Sequence, residues 1–141
     1  MLSQLTSSKI LKNVPVIMGK IRRDMRKIAE QDLTILQFRI MTKLNRERRT
    51  NKQLADWVGI DKTTMSKAVG CLERKGLIEK EVIKEDRRGS YIRLTKEGKS
   101  KYGEISELAR KGLEKDLESL TETEQKNIIN ALEKLVKVIV K

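Results

Sequence analysis

Thr50 to Gly76, TNKQLADWVGIDKTTMSKAVGCLERKG, reads as two short helices with a tight joint between them. Thr50 is placed to cap the first helix, and Gln53, three residues on, can return the reciprocal bond of a capping box. Leu54, Ala55 and Val58 line one face at helical spacing. Gly59 is the natural stop, because it enters the left-handed region without a Cβ clash. Ile60 plugs the joint, and Asp61 is placed to cap a second helix that buries Met65, Val69 and Leu72 and ends at Gly76. The opposite face of that helix carries Lys62, Thr63, Thr64, Ser66 and Lys67 near its start. A DNA-reading helix-turn-helix needs an apolar docking face with small donors and cations on the leading turns. The same pattern also fits an ordinary helical pair with a solvated face, so the flanking sequence has to decide.

Downstream, the period changes from helical to alternating. Leu77 to Ile83 reads as one strand and Ser90 to Leu94 as its partner, with Lys84-Glu85-Asp86-Arg87-Arg88-Gly89 as a charged hairpin tip. A helix pair followed directly by a basic β-hairpin is a winged helix, and such a tip can enter a minor groove or hold phosphates. A charged tip also serves solubility alone, but behind a cationic helix the DNA reading is the stronger one. Upstream, Leu33 to Phe38 opens a helix with a second Thr-x-x-Gln box, and Leu36, Ile40, Met41 and Leu44 give it a core face. Phe38 reads as core, and Asn45 to Arg49 reads as a polar, basic link.

The two ends of the chain are amphipathic helices. From Leu2 to Glu30, Leu11, Val14, Ile17 or Met18, Ile21, Met25 and Ile28 recur at helical steps, interrupted by Pro15. Pro15 either starts a second helix or kinks one long helix. Arg22, Arg23, Arg26 and Lys27 lie on the other side and serve solubility and steering. Thr95 is placed to cap a long helix striped by Tyr102, Ile105, Leu108, Gly112, Leu113, Leu117 and Leu120, with an acidic outer face. Thr121 and Glu124 form a further capping signature before a last helix striped by Ile128, Leu132, Leu135, Val136 and Ile139. These helices are too apolar on one side to stand alone. They either pack within the chain or build a two-fold bundle, and a reader of two half-sites needs the second arrangement.

With 141 residues, 32 lysines and arginines and 20 carboxylates, the chain carries a formal charge of +12 and is drawn to polyanions. It has one cysteine and no histidine, so the usual zinc sites and histidine-dependent catalysis are excluded. Neither an enzyme nor a metal or cofactor is expected. No apolar run spans a bilayer and no signal-peptide pattern opens the sequence, so a cytoplasmic protein without a membrane partner is expected.

In order and spacing, several motifs resemble the MarR family of winged-helix transcription regulators. They are Leu33-Thr34-x-x-Gln37-Phe38, Leu54-Ala55 with the Gly59 turn, Leu72-Glu73-Arg74-Lys75-Gly76-Leu77-Ile78, Asp86-Arg87-Arg88, and Leu94-Thr95-x-x-Gly98. The resemblance implies a mainly α fold with a small β-hairpin wing, in the order four helices, two strands, two helices. It further implies a dimeric helical bundle from the N- and C-terminal helices. On this reading, residues 33–97 are the winged helix-turn-helix, and residues 1–32 and 98–141 are dimerisation helices. Lys62 to Lys75 would be the recognition helix, Asp86 would fix the wing, and Arg88 would enter the minor groove.

The function expected is that of a homodimeric, sequence-specific regulator of transcription, a repressor in many relatives and often autoregulatory, bound to a pseudo-palindromic operator in double-stranded DNA. The DNA-contacting set is Lys62, Thr63, Thr64, Ser66, Lys67, Arg87 and Arg88. The dimer set is Leu11, Val14, Ile21, Leu117, Leu120, Leu132, Leu135 and Ile139. The alternative is a ligand-sensing or protein-interaction module with weak or non-specific DNA binding. Many relatives respond to a small-molecule effector and others to thiol oxidation. Trp57, Tyr91 and Tyr102 are the aromatic candidates for an effector pocket, whereas Cys71 lies on the recognition helix and reads as a small filler before a sensor.

Overall fold

The computed structural model describes residues 1–27, 33–83 and 89–140. In chain order these form α1 (Leu2–Lys27), α2 (Ile35–Arg46), β1 (Arg49–Thr50), α3 (Asn51–Val58), α4 (Lys62–Arg74), β2 (Ile78–Val82), β3 (Ser90–Leu94), α5 (Lys96–Leu117) and α6 (Glu122–Ile139).

Helix starts are set locally. Thr34, Thr50 and Thr121 each accept the third helical amide through the side chain, while Gln37, Gln53 and Glu124 bond back to the cap amide. Asp61 and Thr95 cap α4 and α5 in the same way from one side. Each such cap contributes on the order of 1 kcal/mol. Gly59 closes α3 with φ at 83°, and its amide donates to the Ala55 carbonyl. Pro15 lies inside α1, which runs on through it from Leu2. Of the two readings of Pro15, a helix start is therefore set aside. A proline here removes the bond to the Leu11 carbonyl, but Leu11 is exposed, so water can serve that oxygen.

The core is that of one helix-turn-helix unit with its sheet. Ile40, Met41 and Leu44 of α2, Leu54 and Ala55 of α3, and Met65, Val69 and Leu72 of α4 pack with Leu77, Ile78, Ile92 and Leu94. Ile60, the joint residue, packs partly buried against the same cluster. Phe38 is only partly buried; its ring stacks on Tyr102 of α5 at 5.3 Å between centroids.

The sheet has three antiparallel strands in the order β1-β3-β2, one more than the hairpin expected. Arg49, read as the end of the link, and Thr50, read as a helix cap, pair with Ile92 and Tyr91. A two-residue strand has no period of its own; it exists only because β3 lies beside it. Gly98, in the first turn of α5, is buried against the Leu77 carbonyl. Thr95 completes that knot by donating its hydroxyl to the Gly76 carbonyl at 2.6 Å and its amide to that of Leu77 at 3.1 Å.

α5 belongs to two neighbourhoods. Gly98 and Tyr102 face the helix-turn-helix unit, while α1 packs along the same helix. There the buried Asp24 lies so close to Gly112 that a Cβ would come within 2.3 Å of its Oδ2. Lys20 bonds Asp24 at 3.1 Å and reaches Asp116 at 3.6 Å, tying α1 to α5. α6 buries no residue within the chain. Its elbow with α5 is held by Gln125, which donates to the Leu117 and Leu120 carbonyls. No described helix is long and apolar enough to cross a membrane.

Candidate nucleic-acid interface

α4 is anchored through its apolar stripe, which leaves its other side to solvent. Met65, Val69 and Leu72 are buried, whereas Lys62, Thr63, Thr64, Ser66 and Lys67 are all exposed. The start of the helix is fixed by Asp61, whose Oδ1 accepts the Thr64 amide at 2.8 Å. The Thr64 hydroxyl donates to Asp61 Oδ2 at 2.9 Å, so it can meet an outside group as an acceptor without disturbing the cap. These bonds hold the Asp61 carboxyl below its ordinary value of 3.8. A lowered carboxylate adds stability that is present above the unfolded value and lost as pH falls through the folded one. The cap is therefore intact at neutral pH and lost only in acid. Asn51, opening α3, donates its side-chain amide to the Lys62 carbonyl at 3.4 Å, which ties the two helix starts together.

Beside α4 stands the base of the hairpin. Ile78 faces Leu94 and Lys80 faces Ile92 on one face of the ladder, where Ile78, Leu94 and Ile92 are buried and Lys80 is exposed, while Glu79 faces Arg93 and Glu81 faces Tyr91 on the other. The Ile83 amide donates to the Gly89 carbonyl at 3.2 Å and closes the base. Asp86, Arg87 and Arg88 lie outside the described residues. The structure thus brings the leading turns of α4 into one packed unit with the hairpin base.

Residues 33–90 match the family model described as the MarR family. Over these residues the chain is similar to the MarR family. Members of that family are DNA-binding transcription regulators. Solved structures share the MarR fold across the flanking helices as well. The crystal structure of RV1404 from Mycobacterium tuberculosis is 20% identical with a TM-score of 0.84, covering 100% of this chain and 96% of that one. A MarR transcriptional regulator from Methanosarcina mazei Go1 is 24% identical with a TM-score of 0.82, covering 94% and 97%. The transcriptional regulator BldR from Sulfolobus solfataricus is 22% identical with a TM-score of 0.76, covering 96% and 94%. At these identities the likeness carries the MarR fold and no residue roles.

The three rings considered for an effector pocket are engaged separately. Trp57 lies under Lys43 at 4.9 Å and Arg39 at 5.5 Å, Tyr91 lies under Arg48 at 4.1 Å, and Tyr102 stacks on Phe38. A hollow of about 750 Å³ opens elsewhere, lined by residues including Leu33, Leu77, Lys96, Ser100 and Lys101. None of the three rings lines it. Cys71 is a free thiol, half-buried on α4. The sequence reading missed Arg48, whose partners Glu81 and Tyr91 are far away in sequence. No local pattern marks such a contact.

Of the dimer set, Leu11, Val14, Leu132 and Ile139 are exposed, and Ile21, Leu117, Leu120 and Leu135 are half-buried. Leu2, Leu5, Val16 and Ile17 of α1 and Ile128, Ile129, Val136 and Val138 of α6 are exposed too.

Proposed function

We propose that the protein is a non-enzymatic, sequence-specific double-stranded-DNA-binding regulator of transcription that works as a homodimer. The reading rests above all on one observation: the cation- and hydroxyl-bearing turns of α4 stand in solvent on a helix rigidly capped and packed from behind. Residues 33–97 would read DNA, and residues 1–32 and 98–141 would pair two copies. Because α5 packs against both the head and α1, it would set the separation of the two heads. Repression and autoregulation are the modes that fit best, and a small-molecule effector would act by changing that separation.

Lys62 and Lys67 would meet phosphates and base edges, Thr63, Thr64 and Ser66 would meet base edges, and Arg87 and Arg88 would grip the minor groove with Asp86 fixing the tip. The dimer reading draws support from the apolar faces of α1 and α6 that one chain leaves uncovered. Patches of this extent mark interaction sites, and a second copy supplies the matching surface.

A gel shift comparing genomic fragments with random DNA tests the proposal. Discrimination between them is expected, with log K falling by about 0.9 per neutralised phosphate for each unit of log salt. Equal binding to all DNA, or none, would instead favour a coating protein or a protein-interaction module. Arg88→Ala should weaken binding about ten- to hundredfold and leave the circular dichroism spectrum unchanged; wild-type affinity would refute the wing assignment. Lys67→Ala should change the ranking of binding sites in a competition assay. A uniform loss of about tenfold across all sequences would mark Lys67 as a phosphate contact alone.

A further inference from the structure

Arg48 is the last residue of the link before β1. Its Nη1 donates to Glu81 Oε2 at 3.0 Å, and its guanidinium carbon lies 4.1 Å from the centre of the Tyr91 ring. Glu81 and Tyr91 face each other across the β2–β3 ladder, on the rung next to Val82–Ser90, the last described pair before the tip. One side chain from the helical body therefore grips both wing strands on one face. From the other flank, Arg93 bonds Glu79 at 2.8 Å and reaches Glu81 at 3.8 Å. Glu81 thus sits between two guanidinium groups, which offsets its repulsion of any phosphate nearby.

The root of Arg48 is itself fixed. Arg49 and Thr50 pair with β3, and Thr50 caps α3, the helix bonded through Asn51 to the start of α4. A two-stranded ribbon is marginal alone, so its tip is aimed only as well as its base is held. We propose that Arg48 is a positioning residue for DNA binding, bracing the wing against the reading head through Glu81 and Tyr91. This rests on the reading of the hairpin as a DNA-contacting wing. The same arginine could instead touch a phosphate directly, and the two roles separate by coupling.

The test is a set of binding titrations on a duplex recovered by genomic-fragment selection. Arg48→Ala should weaken binding about five- to tenfold. Tyr91→Leu, which keeps the Arg48 charge but removes its platform, should lose about three- to fivefold, while Tyr91→Phe, which keeps the ring, should stay within about twofold. In an Arg87→Ala/Arg88→Ala background, Arg48→Ala should add less than about twofold, because the brace then has no tip left to aim. A full additive loss in that background, or wild-type binding by Tyr91→Leu, would overturn the proposal. If the Arg87→Ala/Arg88→Ala protein alone binds like wild type, the wing reading itself falls, and Arg48 with it. That result is visible before Arg48 is touched.

Discussion

Leu132→Glu should turn the protein into a monomer and weaken its binding to a two-half-site operator by about a hundredfold or more. Leu132 is 53% exposed within one chain, in the middle of an α6 face that also presents Ile128, Val136 and Ile139. A carboxylate there costs a single chain little, since water still reaches it. In a bundle with a second copy the same carboxylate would be stranded in an apolar seam, a cost of several kcal/mol. Loss of the second head removes the effective-concentration gain of two linked contacts, which is about 10²–10⁴. Sedimentation velocity reads the mass and fluorescence anisotropy reads the affinity. A variant that remains a dimer, or a monomer that binds as tightly as wild type, would remove α6 from the interface.

Gly98→Ala carries the largest expected effect on stability. An added Cβ would lie 1.9 Å from the Leu77 carbonyl oxygen and 2.9 Å from its carbon. Both are backbone atoms, so no rotamer change relieves the clash. Leu77 and Gly76 are at the same time bonded to Thr95, which caps the helix holding Gly98. The start of α5 would have to lift from the end of α4 and the root of the wing. A loss of about 3 kcal/mol or more is expected, equivalent to a fall of roughly 10 °C in melting midpoint. Gly103→Ala is the control on the same helix, since nothing lies within 4 Å of its added Cβ. It should stabilise by up to about 1 kcal/mol. Equal effects of the two substitutions would contradict the close approach of α5 to Leu77.

What the sequence made legible was what is decided within a few residues. The cap threonines, Asp61 and the Gly59 turn each act through bonds spanning three or four positions, and each stands where its pattern places it. The core stripe of α4 follows from the same spacing. What was hidden depends on partners distant in the chain. β1 owes its existence to Ile92 and Tyr91, about forty positions away. Arg48 looked like one more cation in a basic link until folding set it on Glu81 and Tyr91. Trp57, Tyr91 and Tyr102 share only their ring chemistry in the sequence, and folding gives each a different neighbour. Gly98 was visible as part of a motif, while its reason, the carbonyl oxygen of Leu77 between α4 and β2, was not.

Selection of genomic fragments by the purified protein, followed by sequencing, tests the proposed pairing of two DNA-reading heads most directly. The expected outcome is one enriched motif that repeats in inverted orientation, with half-site centres about 10 bp apart or a multiple of that. Enrichment of a lone half-site without its inverted mate, or no enrichment over random fragments, would contradict a two-fold reader of DNA.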